Sequence, residues 1–376
     1  MSQAPSEVLN PPRTARQNVR RAALSYLAGF VLLFALDSLL FRTSLYSPWL
    51  EPDSSTGLFE STLRRELRSQ AENGDNLIVT LGDSRFAYLP RLANELTPQS
   101  GLVFGTAGAA GTDPRAWYYM LRDLDPTASR YRAVVFGVTD FDDEDDYEDH
   151  SADGRTLHYV IVRLRLADTI EFARSFPTWS QRWEAFRGAL FKGFVLAQDI
   201  QAFLSKPDKR IEEVRLYRKG WADWTYNYNE DPRSLAGLQI DWAAWKASFA
   251  PEADQIQRTT VGTVLLRPVA PQTGRYAKFR RLWYGRMLDR YRGSRTKIIF
   301  IRLARGPAVR PASLVQKRSA SIREFAYQPN VFLANEHAFD SLERPELFKD
   351  ALHLNRAGAA RFSVMLVDEI GRILKQ

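Results

Sequence analysis

Residues 77–85, LIVTLGDSR, join an apolar run to a glycine turn that carries a serine. The run Leu77–Leu81 is nearly continuous in its hydrophobicity, as a strand covered on both faces of a sheet should be. Similar apolar runs recur at residues 102–105, 133–138, 297–303 and 331–334. The chain is therefore predicted to contain five strands of one sheet.

Helix-like segments separate the predicted strands. They are residues 86–96, 114–124, 313–327 and 357–375. Strands that alternate with helices pair in parallel through right-handed crossovers. The sequence thus predicts an α/β fold with a five-stranded parallel sheet, whose ligands should collect at the carboxyl ends of the strands.

The third and fourth strands are separated by far more chain than a crossover helix needs, so residues 141–295 are predicted to be an insertion. The acidic run 140–149 leads into it, and we expect a solvated loop there because the glycine and glutamate of a calcium loop are missing. Helix-like stretches follow at 181–204 and 276–291. The insertion is rich in aromatic residues: Trp179, Trp183, Trp221, Trp224, Tyr226, Tyr228, Trp242, Trp245 and Trp283. These rings either stack on sugars or form the core of the insertion.

Composition excludes several kinds of site. The chain has 376 residues, of which 45% are hydrophobic and 26% are charged, as in ordinary globular proteins. It has no cysteine, which rules out disulfides, thiolate metal sites and a cysteine nucleophile. The net charge of +8 favours an anionic partner, yet no nucleic-acid-binding signature is present. His150, His158 and His337 lack metal-binding helical spacing, so we expect no metal.

The first sixty residues have the pattern of a membrane anchor. Residues 1–21 are basic, and 22–42 form an apolar run long enough to cross a bilayer as a helix. The preceding arginines predict a cytoplasmic tail and an uncleaved signal anchor. We expect residues 43–60 to be a stalk and 61–376 to be the folded domain. Asp37 should reach the membrane interface or meet a partner helix.

Two short motifs near opposite ends of the soluble part carry candidate chemistry. Ser84 follows the first strand, where its hydroxyl would be exposed at the carboxyl edge of the sheet. Asp350 precedes His353 by three residues, close enough to hold one ring nitrogen and leave the other for a hydroxyl. Each motif alone is equally typical of a turn or a helix cap.

Together the two motifs resemble the first and last functional blocks of the SGNH family, also called GDSL-type esterases and acyltransferases. The resemblance extends from residue 77 to the C-terminus without the insertion. It implies a doubly wound, flavodoxin-like α/β sheet with no cofactor. By the same resemblance Ser84 is the nucleophile, His353 is the general base and then acid, and Asp350 orients the imidazole.

Two middle blocks test this resemblance. Residues 106–113 are similar to the family's glycine block, whose last glycine donates to the oxyanion, and that role passes to Gly111. Gly108 is an alternative, and a loop with a purely structural role is another. In residues 137–140 the family's oxyanion asparagine is replaced by Thr139, a shorter donor that leaves the oxyanion hole of the Ser84 amide, Gly111 and Thr139 open to question.

Three further residues border these motifs. Arg85 stands where the family usually has leucine, and we expect it to hold an anionic substrate group or to pair with an acidic residue after Asp140. Asn355 is a candidate substrate contact. Asp113, ahead of a proline, should cap the next helix.

These patterns predict an extracytoplasmic serine esterase or acyltransferase, held in the cell inner membrane by residues 22–42 with its domain on the periplasmic side. The resemblance implies acyl esters, most simply acetyl esters, of a cell-surface polysaccharide as substrates, and a multispanning membrane acyltransferase as a partner. Hydrolysis and transfer share the acyl-serine intermediate, so the residues do not separate them. The alternative is a catalytically weak, glycan-binding scaffold of a polysaccharide modification or export complex, kept open by Thr139.

Overall fold

A computed structural model describes residues 13–43, 45–143, 154–222, 226–266, 274–311 and 319–376. Within these ranges the strands are β1 (Leu77–Leu81), β2 (Val103–Thr106), β3 (Ala133–Val138), β4 (Gln239–Asp241), β5 (Lys246–Ser248), β6 (Lys297–Arg302) and β7 (Val331–Leu333). The helices are α1 (Arg13–Phe41), α2 (Ser55–Asn73), α3 (Leu89–Leu96), α4 (Pro114–Leu124), α5 (Arg155–Val160), α6 (Thr169–Arg174), α7 (Trp179–Leu190), α8 (Lys192–Val195), α9 (Ala197–Ser205), α10 (Pro207–Ala222), α11 (Gln255–Thr260), α12 (Arg275–Arg290) and α13 (Arg356–Leu374).

Five of these strands form one parallel sheet, as the apolar runs predicted, and their order is β2-β1-β3-β6-β7. Successive residues of each strand point to opposite faces, and apolar cores cover both. Val79 and Phe136 belong to the core formed with α2, α4 and α12, whereas Ile78 and Val135 belong to the core formed with α3 and α13. The strand β1, which pairs with β2 and β3, therefore ends between the two helical layers.

The helix α1 contains an apolar stretch, Gln17–Phe41, that is long enough to cross a membrane and is largely unburied by the rest of the chain. The predicted anchor 22–42 thus corresponds, except for its last residue, to part of one continuous helix that begins upstream, at Arg13, and ends at Phe41. Residues 1–12 of the predicted tail lie outside the described residues.

The structure contradicts the predicted stalk over residues 43–60. Tyr46 and Leu50 are buried in the core, and α2 begins at Ser55 and buries Phe59. The Ser54 hydroxyl accepts a hydrogen bond from Gly57 N at 3.0 Å, so this serine caps a helix. The prolines and serines of this segment form a tight turn and a helix start. The apolar side chains between them are buried in the core, so the segment is not a stalk.

Within its described residues the insertion is mostly helical, from α5 to α12, with the hairpin β4-β5. The predicted helix 181–204 is divided into α7, α8 and α9, while 276–291 corresponds closely to α12. Trp283 on α12 is fully buried against Tyr119 of α4, and the next residue, Tyr284, packs edge to face on Phe136 and Phe300 of the sheet. Part of the insertion therefore completes the core of the sheet domain.

Candidate active site

Ser84 lies in a turn directly after β1. The Asp83 carbonyl accepts hydrogen bonds from the amides of Phe86, at 3.0 Å, and Ala87, at 2.8 Å. The helix α3 then begins at Leu89, three residues later than predicted, so Ser84 does not sit at a helix N-terminus. The turn, and not a helix end, exposes its hydroxyl at the carboxyl edge of the sheet.

Glycines allow three loops to meet beneath this turn. A Cβ added at Gly82 or Gly137 would lie 2.7 or 2.5 Å from atoms of the Phe86 side chain. A Cβ at Gly108 would lie 2.4 Å from the Gly82 carbonyl oxygen. The glycines of these motifs are therefore required for close packing around Phe86 and Gly82, and Gly108 has this structural role.

His353 is presented by a tight loop before α13. An isolated antiparallel bridge joins Phe348 to Leu354, and Lys349 N donates to the His353 carbonyl at 2.8 Å. Inside the loop Asp350 Oδ1 accepts hydrogen bonds from the amides of Leu352 and His353, both at 2.8 Å. These bonds fix the carboxylate before it contacts the imidazole.

The two ends of the chain meet at this site. Ser84 Oγ lies 2.9 Å from His353 Nε2, and His353 Nδ1 lies 3.0 Å from both Oδ1 and Oδ2 of Asp350. When Nδ1 carries the proton and donates it to Asp350, Nε2 is free to accept the proton of the serine hydroxyl. The side chains of His353 and Asp350 are 20% and 23% exposed, so solvent-borne groups can reach the pair.

Asp350 is held in its charged form. Burial raises the pKa of a carboxyl group, but hydrogen bonds and charge attraction from His353, with the Leu352 and His353 amides, lower the pKa of Asp350 below its ordinary value. A charged Asp350 stabilises the imidazolium that forms when His353 takes a proton.

Contacts between α3 and α13 hold the serine and histidine loops together. The Ser363 hydroxyl on α13 donates to the Leu89 carbonyl at 3.2 Å, and the Phe86 and Phe362 rings meet edge to face at 6.2 Å. Asn355, predicted as a substrate contact, caps α13 instead: its Oδ1 accepts from Gly358 N at 2.9 Å and its Nδ2 donates to the Glu346 carbonyl at 2.8 Å. We therefore assign Asn355 a structural role.

The predicted oxyanion donors lie in the loops after β2 and β3. Gly111 has φ of +71°, a left-handed conformation, and the neighbouring Ala110 carbonyl accepts from the Tyr159 hydroxyl at 2.6 Å. Among the described residues, neither the Ser84 amide nor the Gly111 amide has an acceptor. Thr139 is buried, with its hydroxyl 3.4 Å from Asp140 Oδ2. Donation by these groups to an oxyanion stays a prediction.

Arg85 is turned toward its own loop. Its guanidinium contacts the Asp83 carboxylate at 2.6 Å, so it pairs with a carboxylate two residues upstream. Most of the acidic run, where a pair was also expected, lies outside the described residues. The Arg85 side chain is only 7% exposed, which supports a structural role. Asp113 caps α4 as predicted, accepting a hydrogen bond from Ala116 N at 2.8 Å.

The described part of the acidic run is buried, contrary to the expected solvated loop. Arg280 Nη1 contacts Asp140 at 2.9 Å and Asp143 at 2.7 Å, and all three side chains are at most 2% exposed. Asp142 pairs with Arg323 at 2.5 Å. Residues 144–149 lie outside the described residues. The first carboxylates are thus counterions of a buried arginine.

Two aromatic residues of the insertion lie beside the histidine. The Tyr228 ring meets the His353 ring edge to face at 5.5 Å, and the Lys349 amine lies 4.2 Å from the Tyr228 ring centre. The Tyr226 hydroxyl donates to the Leu354 carbonyl at 2.7 Å. The sequence showed an aromatic cluster there but carried no signal that it would pack on this loop.

The other predicted aromatics are divided between core and surface. Trp283 is buried, whereas Trp179 and Trp183 are 79% and 54% exposed. Trp242 and Trp245 meet edge to face at 5.9 Å, and the Arg310 guanidinium lies 5.7 Å from both rings. The Trp221 and Trp224 side chains lie outside the described residues.

Within the parts of the chain that the structure describes, no group of three or more histidine and acidic side chains is arranged to hold a metal ion. No protein-family model matches this chain, and no curated protein matches it.

Proposed function

We propose that this protein is a serine esterase or acyltransferase of the SGNH type, held in a membrane by α1. One observation carries the proposal: Ser84 Oγ, His353 Nε2, His353 Nδ1 and the Asp350 carboxylate form a continuous chain of contacts of 2.9 and 3.0 Å. The strand order, the serine directly after β1 and the histidine directly before the last helix support the doubly wound family fold.

The chemistry follows from this arrangement. His353 Nε2 takes the proton of Ser84 as its oxygen attacks the acyl carbonyl, and Asp350 stabilises the resulting imidazolium. The Ser84 and Gly111 amides, with the Thr139 hydroxyl, are the proposed donors to the tetrahedral oxyanion. The protonated imidazole then gives its proton to the leaving alcohol. Water or a sugar hydroxyl releases the acyl-serine, with His353 again as base.

The proposed substrates are acyl esters, in the first place acetyl esters, of a cell-surface polysaccharide. Two sets of partly buried aromatic rings in the insertion, Tyr228 beside His353 and the Trp242 and Trp245 pair, are of the kind that suits the apolar faces of sugar rings. The arginines at the start of α1 favour a cytoplasmic N-terminus, hence a periplasmic domain at the inner membrane, where a multispanning acyltransferase would supply acyl groups.

The test uses the full chain in detergent with an activated acetyl ester. The wild type should release the alcohol and carry one acetyl group on the peptide that contains Ser84, as seen by mass spectrometry after acid quenching. Ser84→Ala should lose both signals, while Ser205→Ala, at an exposed serine, should keep them. Equal turnover of the ester by wild type and Ser84→Ala would contradict the proposal that Ser84 is the catalytic nucleophile.

A second function remains, because Thr139 replaces an oxyanion asparagine: a glycan-binding scaffold with weak catalysis. It predicts that wild type and Ser84→Ala are equally inert toward acyl esters yet bind polysaccharide with equal affinity. Binding measured by calorimetry on both proteins separates the two functions.

A further inference from the structure

An acidic residue of the proposed membrane helix is buried by the folded domain. Asp37 on α1 is 6% exposed, and its carboxylate accepts hydrogen bonds from the amides of Lys192, at 3.2 Å, and Gly193, at 2.7 Å. A Cβ at Gly193 would lie 3.1 Å from the Asp37 carboxylate, so glycine permits this approach. Asp37 therefore meets the insertion, neither a partner helix nor open solvent.

The same segment also binds a second charged side chain, that of Arg42, which directly follows α1. The break between α7 and α8 at Phe191 leaves carbonyls without helical partners, and Arg42 donates to those of Ala189 and Leu190, both at 2.8 Å. The Lys192 amine donates to the Val162 carbonyl at 2.8 Å. Lys192 is itself only 1% exposed. The polar backbone groups at this break are thus satisfied by protein.

Apolar contacts extend further down α1. The Phe191 ring lies edge to face with Phe34 at 5.8 Å and with Phe30 at 5.3 Å. Phe30 precedes the last residue of α1, Phe41, by eleven positions, which is about 16 Å along a helix axis. The folded domain therefore contacts α1 far from the end at which the helix enters it.

The length of the apolar run in α1 shows whether the contacts at Phe30 and Phe34 lie within the membrane. About 20 helical residues are needed to cross the hydrocarbon core, and residues 22–41 supply twenty. If the membrane ended before Phe30, only residues 22–29 would remain, and Arg20 and Arg21 would have to enter the bilayer. Charged side chains at that depth are costly. Phe30 and Phe34 must therefore lie within the membrane, together with whatever packs on them.

We propose that residues 189–195, here called the membrane wedge, enter the bilayer leaflet nearest the domain beside α1, so that the lipid acyl chains are their partner. The proposal rests on α1 spanning the membrane. Phe194, at the tip of the wedge, is 58% exposed and would contact lipid. Irregular backbone is tolerated at membrane depth only where protein satisfies it, as Asp37 and Arg42 do here.

The exposed tryptophans of α7 agree with this placement. Trp183 and Trp179 lie upstream of the wedge on the helix that leads into it and are largely exposed. Tryptophan is enriched at membrane interfaces, where its ring is partly in the apolar region and its N–H is hydrated. The wedge would fix the orientation of the domain on the membrane, and hence the height of Ser84 above it.

The absence of cysteine makes a clean test possible. Phe194→Cys, Leu36→Cys and Tyr327→Cys are labelled singly with a nitroxide in the full chain. They are reconstituted into vesicles of phosphatidylcholine and phosphatidylglycerol. Collisions with oxygen, which concentrates in lipid, and with a water-soluble nickel chelate are compared. All three native side chains are at least half exposed, so the labels are not expected to disturb the fold.

At Phe194 the ratio of oxygen to nickel collisions should match that at Leu36 on α1 and exceed severalfold that at Tyr327 on the domain. A water-like ratio at Phe194 together with a lipid-like ratio at Leu36 would overturn the wedge and leave the anchor intact. A water-like ratio at both positions would overturn the anchor and the wedge together. Neither result depends on catalysis, so the proposed activity is judged separately.

Discussion

Ser84 Oγ and His353 Nε2 lie 2.9 Å apart, although 269 positions of the chain separate the two residues. Ser84 follows the strand β1, and His353 precedes α13, which packs on α3. The pair therefore depends on the packing of two helices on one face of the sheet.

Asp350→Asn should lower kcat strongly, by about 10⁴-fold, because the amide cannot hold the imidazole in the required tautomer or stabilise its positive charge. Steady-state kinetics on an acetyl ester measures this. His337→Ala is the control: His337 makes a similar contact with Asp340, 2.7 Å away, but is 76% exposed and outside the site. Unchanged turnover in Asp350→Asn would remove Asp350 from the mechanism.

The contribution of the charged Asp350 carboxylate to the stability of the fold should depend on pH. The pKa of Asp350 in the folded protein is below its ordinary value of 3.8, so its charged form stabilises the fold fully above that pH. This contribution is lost as the pH falls through the folded-state pKa. Denaturant unfolding should therefore show Asp350→Asn destabilised at neutral pH, with the difference from wild type shrinking below pH 3.8. A difference that grows in acid would contradict this.

Gly111→Ala should cost both stability and activity. Its positive φ strains any residue with a Cβ by about 1–2 kcal/mol. The new methyl group would also lie 2.8 Å from the Tyr159 hydroxyl and displace the loop that carries the proposed oxyanion amide. Gly101→Ala is matched, since Gly101 has φ of +65° but open space around it. Gly101→Ala should lose stability alone; equal kcat in both variants would argue against an oxyanion role.

Thr139→Val tests the unusual oxyanion residue. If its hydroxyl donates in the transition state, kcat should fall by about 10²-fold, whereas Thr139→Ser, which keeps the hydroxyl, should retain most activity. Stability of both variants is measured alongside, because Thr139 is buried. Full activity in a folded Thr139→Val protein would leave the backbone amides as the only donors.

Arg280→Met should destabilise the fold by about 3–5 kcal/mol, because it removes a buried guanidinium that contacts the buried carboxylates of Asp140 and Asp143. The adjacent Arg281 offers a control. Its pair with Glu324 is 40% and 46% exposed, so Arg281→Ala should change stability by no more than about 1 kcal/mol. Chemical denaturation compares the two; similar losses would mean that the buried cluster is not a distinct stabilising unit.

Local patterns determined the sheet and the candidate chemistry. The boundaries of β1 and β3 were predicted to the residue, since an unbroken apolar run leaves a strand few alternatives. The residue types at Ser84, Asp350 and His353 suggested a relay because their spacing and positions after strands suit it. The cap at Asp113 and the apolar span within α1 were equally local properties.

Ion pairing and burial, in contrast, depended on tertiary contacts that local sequence patterns do not specify. Arg85 could have paired with several carboxylates, and only the folded loop brings its guanidinium within 2.6 Å of Asp83. Residues 43–60 had the composition of a stalk, but whether Tyr46 and Leu50 are buried depends on a core built by the insertion.

The sequence alone determined the alternation of strands and helices, the apolar span and the kinds of side chain available for catalysis, because backbone preference and hydrophobic pattern act over a few residues. Only the tertiary structure decided that Ser84 meets His353, that Tyr228 packs on the imidazole and that Asp37 is held by Gly193. Those contacts join residues more than a hundred positions apart, and they form only when the two cores close around the sheet.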